Sequence, residues 1–215
     1  MLYGIWEIPL FNKDKYKIVK NVLSSDELEL TLNYLLIRRQ CFDTMMQRKF
    51  ISQFNTDFGT RSDTQVPGVW SCYSDPLMET ILLKIKPLME KTTKLKLNEN
   101  YSYCRIYEKG SELKYHLDRE SCEISATMNI GGDPWPIHFE YPETKKKLAI
   151  TLKPGELIIY KGCDLYHWRN PFDGEMCIQV FLHYTDINSK YKDIRFDNRP
   201  HIGLPKYVTK NIYGN

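Results

Sequence analysis

Long apolar runs are absent from this sequence of 215 residues. No stretch approaches the ~20 consecutive apolar residues that a membrane-spanning helix requires. Residues 1–11 include Glu7 and Pro9 and lack the basic-then-apolar order of a secretory signal. We therefore expect no membrane contact and, by default, a cytoplasmic location.

Closely spaced cysteine pairs are also absent. The six cysteines form no CxxC or comparable spacing and lie at Cys41, Cys72, Cys104, Cys122, Cys163 and Cys177. This spread argues against a disulfide framework and against a zinc–thiolate site, and it favours a reducing compartment.

No block of charge of one sign dominates the chain. Thirty basic and 27 acidic side chains leave a net charge of +3, and the longest basic run is residues 145–147. Because no aromatic stacking pattern accompanies that run, we expect a solvated loop or strand edge and no nucleic-acid partner. The hydrophobic content of 42% is that of an ordinary globular domain.

Two capping signals predict helices in the first part of the chain. Ser24 and Glu27 form a capping box, and an apolar stripe at helical spacing follows them. Asp75 and Pro76 mark a second helix start. Residues 42–58 are also expected to be helical and to form a pocket wall.

The hydrophobic period changes near residue 100, where short strands begin. The expected strands are residues 101–107, 123–130, 148–152, 156–160 and 177–184. We see no repeat or linker, so we expect one domain over residues 1–215. Its parts are mostly helical support (1–99), a jelly-roll core (100–185) and a C-terminal extension (186–215). This order predicts an α+β fold, a double-stranded β-helix (jelly-roll or cupin-like) core with N-terminal helices packed against it.

The chemistry-bearing motif is His116-Leu117-Asp118, with His167 49 residues beyond the aspartate. In an extended strand, residues i and i+2 face the same side, so His116 and Asp118 can present an imidazole and a carboxylate together. Two histidines and one carboxylate are the ligand set of non-haem iron(II) oxygenases. The motif alone is weak, because histidines on a surface strand give the same pattern.

The surrounding residues make the chain resemble the 2-oxoglutarate- and iron(II)-dependent dioxygenase superfamily, in particular its prolyl-4-hydroxylase-like branch. The similar segments are residues 22–28, 107–110, 116–118 and 153–160, followed by His167, Pro171 and Gly174. The order and spacing of these segments are more specific than any one of them.

The resemblance implies that His116, Asp118 and His167 are the catalytic metal ligands and bind Fe(II). It implies 2-oxoglutarate as cosubstrate, released as succinate and CO2, with ascorbate as a reductant. The expected reaction is hydroxylation of an amino-acid side chain or a small metabolite, so the partner would be a small-molecule or peptidyl substrate.

The sequence departs from the family where relatives carry a basic anchor for the far carboxylate of 2-oxoglutarate. The positions nine and ten residues after the distal histidine hold Met176 and Cys177. Arg169 is the first candidate for this role, because an extended chain puts it on the face of His167. Arg105 is the second candidate. For each arginine, the alternative is that it is an ordinary surface cation without a role in binding.

Three further residues are candidates for cosubstrate binding. Tyr107 matches by position a tyrosine that hydrogen-bonds the cosubstrate in the family, or it belongs to the core. Asn129 and Gln179 are candidates for polar contacts. Gln179 lies in an apolar strand, so its amide must either meet a ligand or close a structural hydrogen bond.

Two other functions remain open at this point. The missing basic residue is compatible with a cupin-type iron oxygenase that does not use 2-oxoglutarate. A non-catalytic β-sandwich binding module is the alternative from a different class. Residues 132–136 are expected to form a second pocket wall.

Overall fold

The computed structural model describes residues 10–209. The helices of this part are α1 (Leu10–Asp14), α2 (Ser25–Gln47) and α3 (Pro76–Thr93). The strands are β1 (Tyr16–Val19), β2 (Trp70–Tyr73), β3 (Leu97–Glu108), β4 (Leu113–His116), β5 (Ile124–Gly132), β6 (Ile137–Glu140), β7 (Lys147–Ile150), β8 (Leu157–Lys161), β9 (Tyr166–Arg169) and β10 (Met176–Asp186). Two short 3₁₀ turns cover Glu120–Cys122 and Lys192–Asn198.

The strands form two antiparallel sheets that face each other. The large sheet has the order β1-β8-β5-β10-β3-β2, and the small sheet has the order β4-β9-β6-β7. From β3 to β10 the chain crosses between the two sheets at every step except the β6–β7 hairpin, which is the topology of a double-stranded β-helix. The predicted α+β jelly-roll fold is confirmed.

Each face of the large sheet is covered. Helices α2 and α3 pack on one face through apolar side chains such as Leu35, Met78 and Leu82, which are fully buried. The small sheet covers the other face, with Phe139 packed against Ile158 and its neighbours. Coverage of both faces explains why the central strands β5 and β10 are buried at almost every position.

Both predicted helix starts are confirmed. The Ser24 side chain accepts a hydrogen bond from the Glu27 backbone N–H, and the Glu27 carboxylate accepts one from the Ser24 backbone N–H. Asp75 caps α3. The prediction of helix over residues 42–58 was wrong beyond Gln47, where α2 ends and an irregular segment begins. In the described part of the chain, no helix combines the length and apolarity needed to cross a bilayer.

The first 99 residues also contribute strands, which the sequence analysis did not predict. Strand β1 pairs with β8 and strand β2 pairs with β3, so they form the two edges of the large sheet. These strands have four residues each and no clear alternation, so a period-2 pattern is hardly visible in them.

The C-terminal extension packs against the core through ion pairs. Arg199 is fully buried, and its guanidinium donates to the Glu79 carboxylate of α3 at 2.8 Å. Asp197 accepts from both terminal nitrogens of Arg119 at 2.6 and 2.7 Å. The extension is therefore fixed to the same end of the barrel as the HxD motif.

Candidate metal centre

His116 and His167 are cross-strand neighbours in the small sheet. Strand β4 ends at His116, which is directly opposite His167 on strand β9. The two imidazole centroids are 4.2 Å apart. Asp118 follows β4, and its Oδ1 lies 3.7 Å from His116 Nε2 and 3.4 Å from His167 Nε2. The structure thus brings together the three side chains selected from the sequence.

Backbone carbonyls orient both imidazoles. His116 Nδ1 lies 2.7 Å from the Lys114 carbonyl oxygen, and His167 Nδ1 lies 3.0 Å from that of Leu165. Because a carbonyl only accepts, each Nδ1 carries the proton and each Nε2 keeps its lone pair toward Asp118. This arrangement orients metal-binding histidines and fixes their tautomer.

Asp118 is held by its own set of contacts. Its backbone N–H donates to the Gly162 carbonyl at 3.0 Å, and Ser125 Oγ donates to Oδ2 at 2.9 Å. A Cβ on Gly162 would lie 2.3 Å from Oδ2 and equally close to the Cys122 carbonyl oxygen. Glycine at position 162 is therefore required for the carboxylate to reach this position.

The charge state of the ligands suits a cation. Burial alone would raise the pKa of Asp118, but the adjacent His167 and His116 hold it far below its ordinary value. Burial alone would lower the pKa of His116, but the nearby Asp118 carboxylate and the Lys114 carbonyl raise it. An ionised carboxylate and two imidazole lone pairs converge, so the site can exchange protons for a metal ion.

The three donors fit one octahedral metal ion. Bonds of roughly 2.1 Å at right angles place donor atoms about 3 Å apart, and all three donor atoms lie within 4.8 Å of one another. To reach this spacing, the distances from Asp118 Oδ1 to the two imidazole Nε2 atoms need to shorten by less than an ångström. Two nitrogens and one oxygen on one face leave the opposite positions open, which suits iron(II).

A cavity of about 630 Å³ opens over the three ligands. Its walls carry many aromatic side chains, which are Tyr73, Tyr101, Tyr103, Tyr160 and Phe181. Short hydroxyl side chains and the Arg105–Asp63 pair line the outer part. Pro205 and Lys206 bring the C-terminal extension to the rim.

Arg169 is buried inside the barrel, with 1% of its surface exposed, and is not among the residues that line the cavity. Its guanidinium lies 5.0 Å from the centre of the Trp135 ring, and one terminal nitrogen donates to the Trp135 carbonyl. Within residues 10–209, no carboxylate pairs with it, and its Nε has no hydrogen-bond partner. Burial lowers the pKa of Arg169.

Arg105 and Tyr107 lie on the same face of strand β3, as expected, but Arg105 lines the cavity and Tyr107 does not. Arg105 donates to the Asp63 carboxylate at 2.5 Å and to the Tyr107 hydroxyl at 3.1 Å. The Arg105 charge is therefore already balanced by Asp63, in contrast to that of Arg169. The Tyr107 ring packs edge-on against Trp135, with centroids 4.8 Å apart.

Asn129 and Gln179 make structural hydrogen bonds, and neither lines the cavity. The Asn129 amide donates to the Leu152 carbonyl at 2.7 Å and accepts from the Gly131 N–H at 3.0 Å. Gln179 accepts from Thr127 at 3.2 Å and lies near Cys177 Sγ. The structural alternative considered for Gln179 describes its observed contacts.

The sequence analysis missed one wall of the cavity. The segment over residues 60–68, here called the strap, lies across the barrel mouth and contributes Asp63 and Gln65 to the site. Its sequence is that of an ordinary polar loop, so nothing in it signals this position. The predicted wall over residues 132–136 does not line the cavity.

The structure also shows the positions of two other histidines, which the sequence did not determine. His183 is buried at the cavity, and its Nδ1 lies 3.0 Å from Ser125 Oγ, which in turn holds Asp118. His138 stacks on Trp168, with centroids 5.1 Å apart, on the outer face of the small sheet. His138 is therefore not a metal ligand candidate.

No protein-family model and no curated protein matches the sequence. The fold is shared with solved structures that include an alpha-ketoglutarate-dependent epimerase and a prolyl-4-hydroxylase. The fold predicted from the resemblance is the fold that these structures have.

Three of these structures illustrate the likeness. The alpha-ketoglutarate-dependent non-haem epimerase SnoN of nogalamycin biosynthesis aligns with a TM-score of 0.59 and 14% identity, over 82% of this chain and 79% of its own. A Pseudomonas putida prolyl-4-hydroxylase gives 0.57 and 14%, over 80% and 92%. EctD from S. alaskensis with bound Fe gives 0.58 and 15%, over 82% and 74%. At these identities the likeness establishes the fold.

Proposed function

We propose that this chain is an iron(II)- and 2-oxoglutarate-dependent oxygenase whose metal ligands are His116, Asp118 and His167. The observation that carries the proposal is the convergence of two imidazole Nε2 atoms and one carboxylate at the mouth of a double-stranded β-helix. When bound, iron and 2-oxoglutarate supply an oxidant generated from dioxygen, with release of succinate and CO2.

Arg169 is the proposed anchor of the far carboxylate of 2-oxoglutarate. A guanidinium excluded from water is costly unless a partner with negative charge approaches it. Among the described residues no carboxylate does so, and Nε is left without a hydrogen bond. A dicarboxylate bound in the barrel would supply that charge in a two-point interaction.

Arg105 is less suited to the same role. Asp63 lies 2.5 Å from its guanidinium, so an incoming carboxylate would be repelled by a charge already in place. Tyr107 contacts groups near both arginines. Its hydroxyl accepts a hydrogen bond from Arg105, and its ring packs against Trp135, the residue that Arg169 also contacts. We propose Tyr107 as a hydrogen-bonding partner of the cosubstrate and Arg105 as part of the substrate wall.

Apolar side chains exclude water around the metal ligands. The Tyr160 ring meets the His167 ring edge-on, with centroids 5.0 Å apart, and Phe139 packs beside it. Leu113 and Ile137 add apolar surface to the cavity. A dry environment protects a reactive site from side reactions and strengthens its electrostatic interactions.

The proposed reaction is hydroxylation of an amino-acid side chain or a small metabolite. A cavity of about 630 Å³ with aromatic walls and a polar rim is large enough for either. Solved structures with this fold include both a prolyl-4-hydroxylase and an epimerase that acts in nogalamycin biosynthesis. Product analysis with peptide and metabolite pools would separate the two substrate classes.

The proposal is tested with metal, cosubstrate and oxygen supplied separately. Purified protein loaded with iron(II) without oxygen should develop a visible charge-transfer band on addition of 2-oxoglutarate, and should form succinate in air. His167→Ala should lose both signals, while His201→Ala, which changes an exposed histidine, should keep them. Oxygen uptake without succinate would favour the cupin-type alternative, and failure to bind any divalent metal would favour the binding module.

A further inference from the structure

The strap is tied down at both ends. Arg61 donates to both carboxylate oxygens of Asp43 on α2 at 2.9 Å and to the Gly68 carbonyl at 2.7 Å. Asp63, near the middle of the strap, is held by Arg105 of strand β3. The strap conformation is therefore held by one contact within it and by contacts to α2 and strand β3.

Gln65 projects from the strap onto the metal face of His116. Its side-chain nitrogen lies 2.9 Å from His116 Nε2. The other end of the amide is fixed as well, because Gln65 Oε1 accepts from Arg105 at 3.2 Å. Since His116 Nδ1 is bonded to the Lys114 carbonyl, Nε2 is the acceptor and the Gln65 amide is the donor.

This contact uses the lone pair that a metal ion requires. An imidazole nitrogen cannot accept a hydrogen bond and coordinate a cation with the same electron pair. A metal ion that takes His116 must therefore first displace the Gln65 amide. Nothing comparable approaches His167 in the described residues, because its Nε2 contacts only Asp118.

We infer that Gln65 is a positioning residue that competes with the metal for His116 Nε2 and so couples metal binding to the strap. The inference rests on the proposed metal centre. Displacement breaks one neutral hydrogen bond, which weakens metal affinity, and it frees the amide to move with the strap above the open metal positions. Removal of the amide should consequently tighten metal binding, the opposite of what loss of a supporting contact would do.

The test is the affinity of the metal-free protein for Co(II), measured by calorimetry and by the visible spectrum of the bound ion. Gln65→Asn keeps the amide but is one methylene too short to reach His116, and Gln65→Ala removes the amide. Both variants should lower the Co(II) dissociation constant by about two- to tenfold, the equivalent of one net hydrogen bond. Thr64→Ala, the neighbouring strap residue in the cavity, is the matched control and should match the wild type.

Amide hydrogen exchange provides a second readout that does not depend on affinity. Addition of Co(II) to the wild type should increase exchange across the strap, because Gln65 loses its partner there. The same addition should leave exchange in Gln65→Ala unchanged. Melting temperatures of the metal-free proteins establish that each variant is folded.

The possible outcomes separate this inference from the proposed function. If wild type and variants all fail to bind Co(II), the metal centre itself is wrong. If all bind it and the Gln65 variants are equal to or weaker than the wild type, the metal centre stands and the competition by Gln65 is refuted. Tighter binding by both variants, with Thr64→Ala unchanged, supports the inference.

Discussion

Arg105 and Arg169 both point into the barrel, but they differ in charge environment. Among residues 10–209, a carboxylate lies beside Arg105 and none pairs with Arg169. Charge balance at residue scale therefore ranks two candidates that the sequence presented on nearly equal terms. The ranking leads to a direct test of Arg169.

Replacement of Arg169 by methionine should remove cosubstrate binding without unfolding the protein. We expect the KM for 2-oxoglutarate to rise at least tenfold, because a bidentate charged interaction is lost. The free energy of unfolding should fall by no more than about 1 kcal/mol, since the lost group is a buried charge without an ion-pair partner. Titration with 2-oxoglutarate and urea unfolding measure the two effects; a large loss of stability with an unchanged KM would contradict the assignment.

Ser125 should affect the metal through Asp118. The Ser125→Ala change removes the hydroxyl that donates to Asp118 Oδ2, so we expect about tenfold weaker Co(II) binding. Ser102→Ala is a matched control, because the Ser102 hydroxyl is buried without a hydrogen-bond partner among the described residues. Equal affinities in the two variants would show that Asp118 needs no support from Ser125.

His183 should make the metal-free protein sensitive to acid. Burial lowers the pKa of His183 from 6.5 to about 4. The unfolded chain therefore takes up a proton at a pH where the folded chain does not, and stability falls as the pH drops from about 6.5 to about 4, by up to about 1.4 kcal/mol per pH unit. Asp118, whose folded-state pKa is lowered, stabilises the fold above about pH 3.8 and loses this contribution only as the pH falls further.

The measurement is urea unfolding of the metal-free protein between about pH 7.5 and about pH 4.5. His183→Asn should flatten this part of the profile, and His201→Asn, at an exposed histidine, should not. A variant at position 183 with the wild-type slope would assign the acid sensitivity to another group.

The three residues of the proposed metal centre could be selected from the sequence, whereas most of their surroundings could not. His116 and Asp118 are two residues apart, and that spacing fixes their common orientation near a strand. The contacts of Asp63 and Gln65 depend on where the strap crosses the barrel. No local pattern encodes such a position.

At the scale of elements, the helix starts could be predicted from local capping signals, whereas the short strands could not be predicted. The caps at Ser24 and Asp75 are made within one helical turn, so the residues that form them are adjacent in sequence. Strands β4, β6 and β9 have four residues each and gain their order from neighbours in the small sheet. Four residues are too few to display a period.

Asp75 should be the more costly of the two caps to remove. Its side chain is fully buried, caps the Leu77 and Met78 N–H groups, and accepts from the Tyr34 hydroxyl at 2.9 Å. We expect Asp75→Ala to lower the free energy of unfolding by about 2–4 kcal/mol, against about 1 kcal/mol for the exposed Ser24→Ala cap. Equal losses in urea unfolding would show that the contact with α2 through Tyr34 contributes nothing.

At the scale of the molecule, the C-terminal extension belongs to the site. Arg199 ties it to α3 through Glu79, and Asp197 ties it to Arg119, the residue after the proposed ligand Asp118. Pro205 then reaches the cavity rim. The sequence analysis assigned residues 186–215 as an extension but gave it no role, because its partners are more than 70 residues away.

Loss of the buried ion pair should release this extension. Arg199→Ala leaves the Glu79 carboxylate buried without its partner, so we expect a loss of about 3–5 kcal/mol and faster proteolysis after residue 190. Arg195→Ala breaks a half-exposed pair with Glu99 and should cost about 1 kcal/mol or less. If the two variants were equally stable, the extension would not depend on Arg199.

The two-residue step from His167 to Arg169 along strand β9 has a consequence for cosubstrate length. A strand advances roughly 6.6 Å over two residues, so the proposed anchor and the metal ligand are separated by a rigid interval that loop movements cannot change. With Arg169 as the anchor, this fixed distance along strand β9 would select dicarboxylic acids by their length. Oxoacids one carbon shorter or longer than 2-oxoglutarate would then meet either the metal or the arginine, but not both.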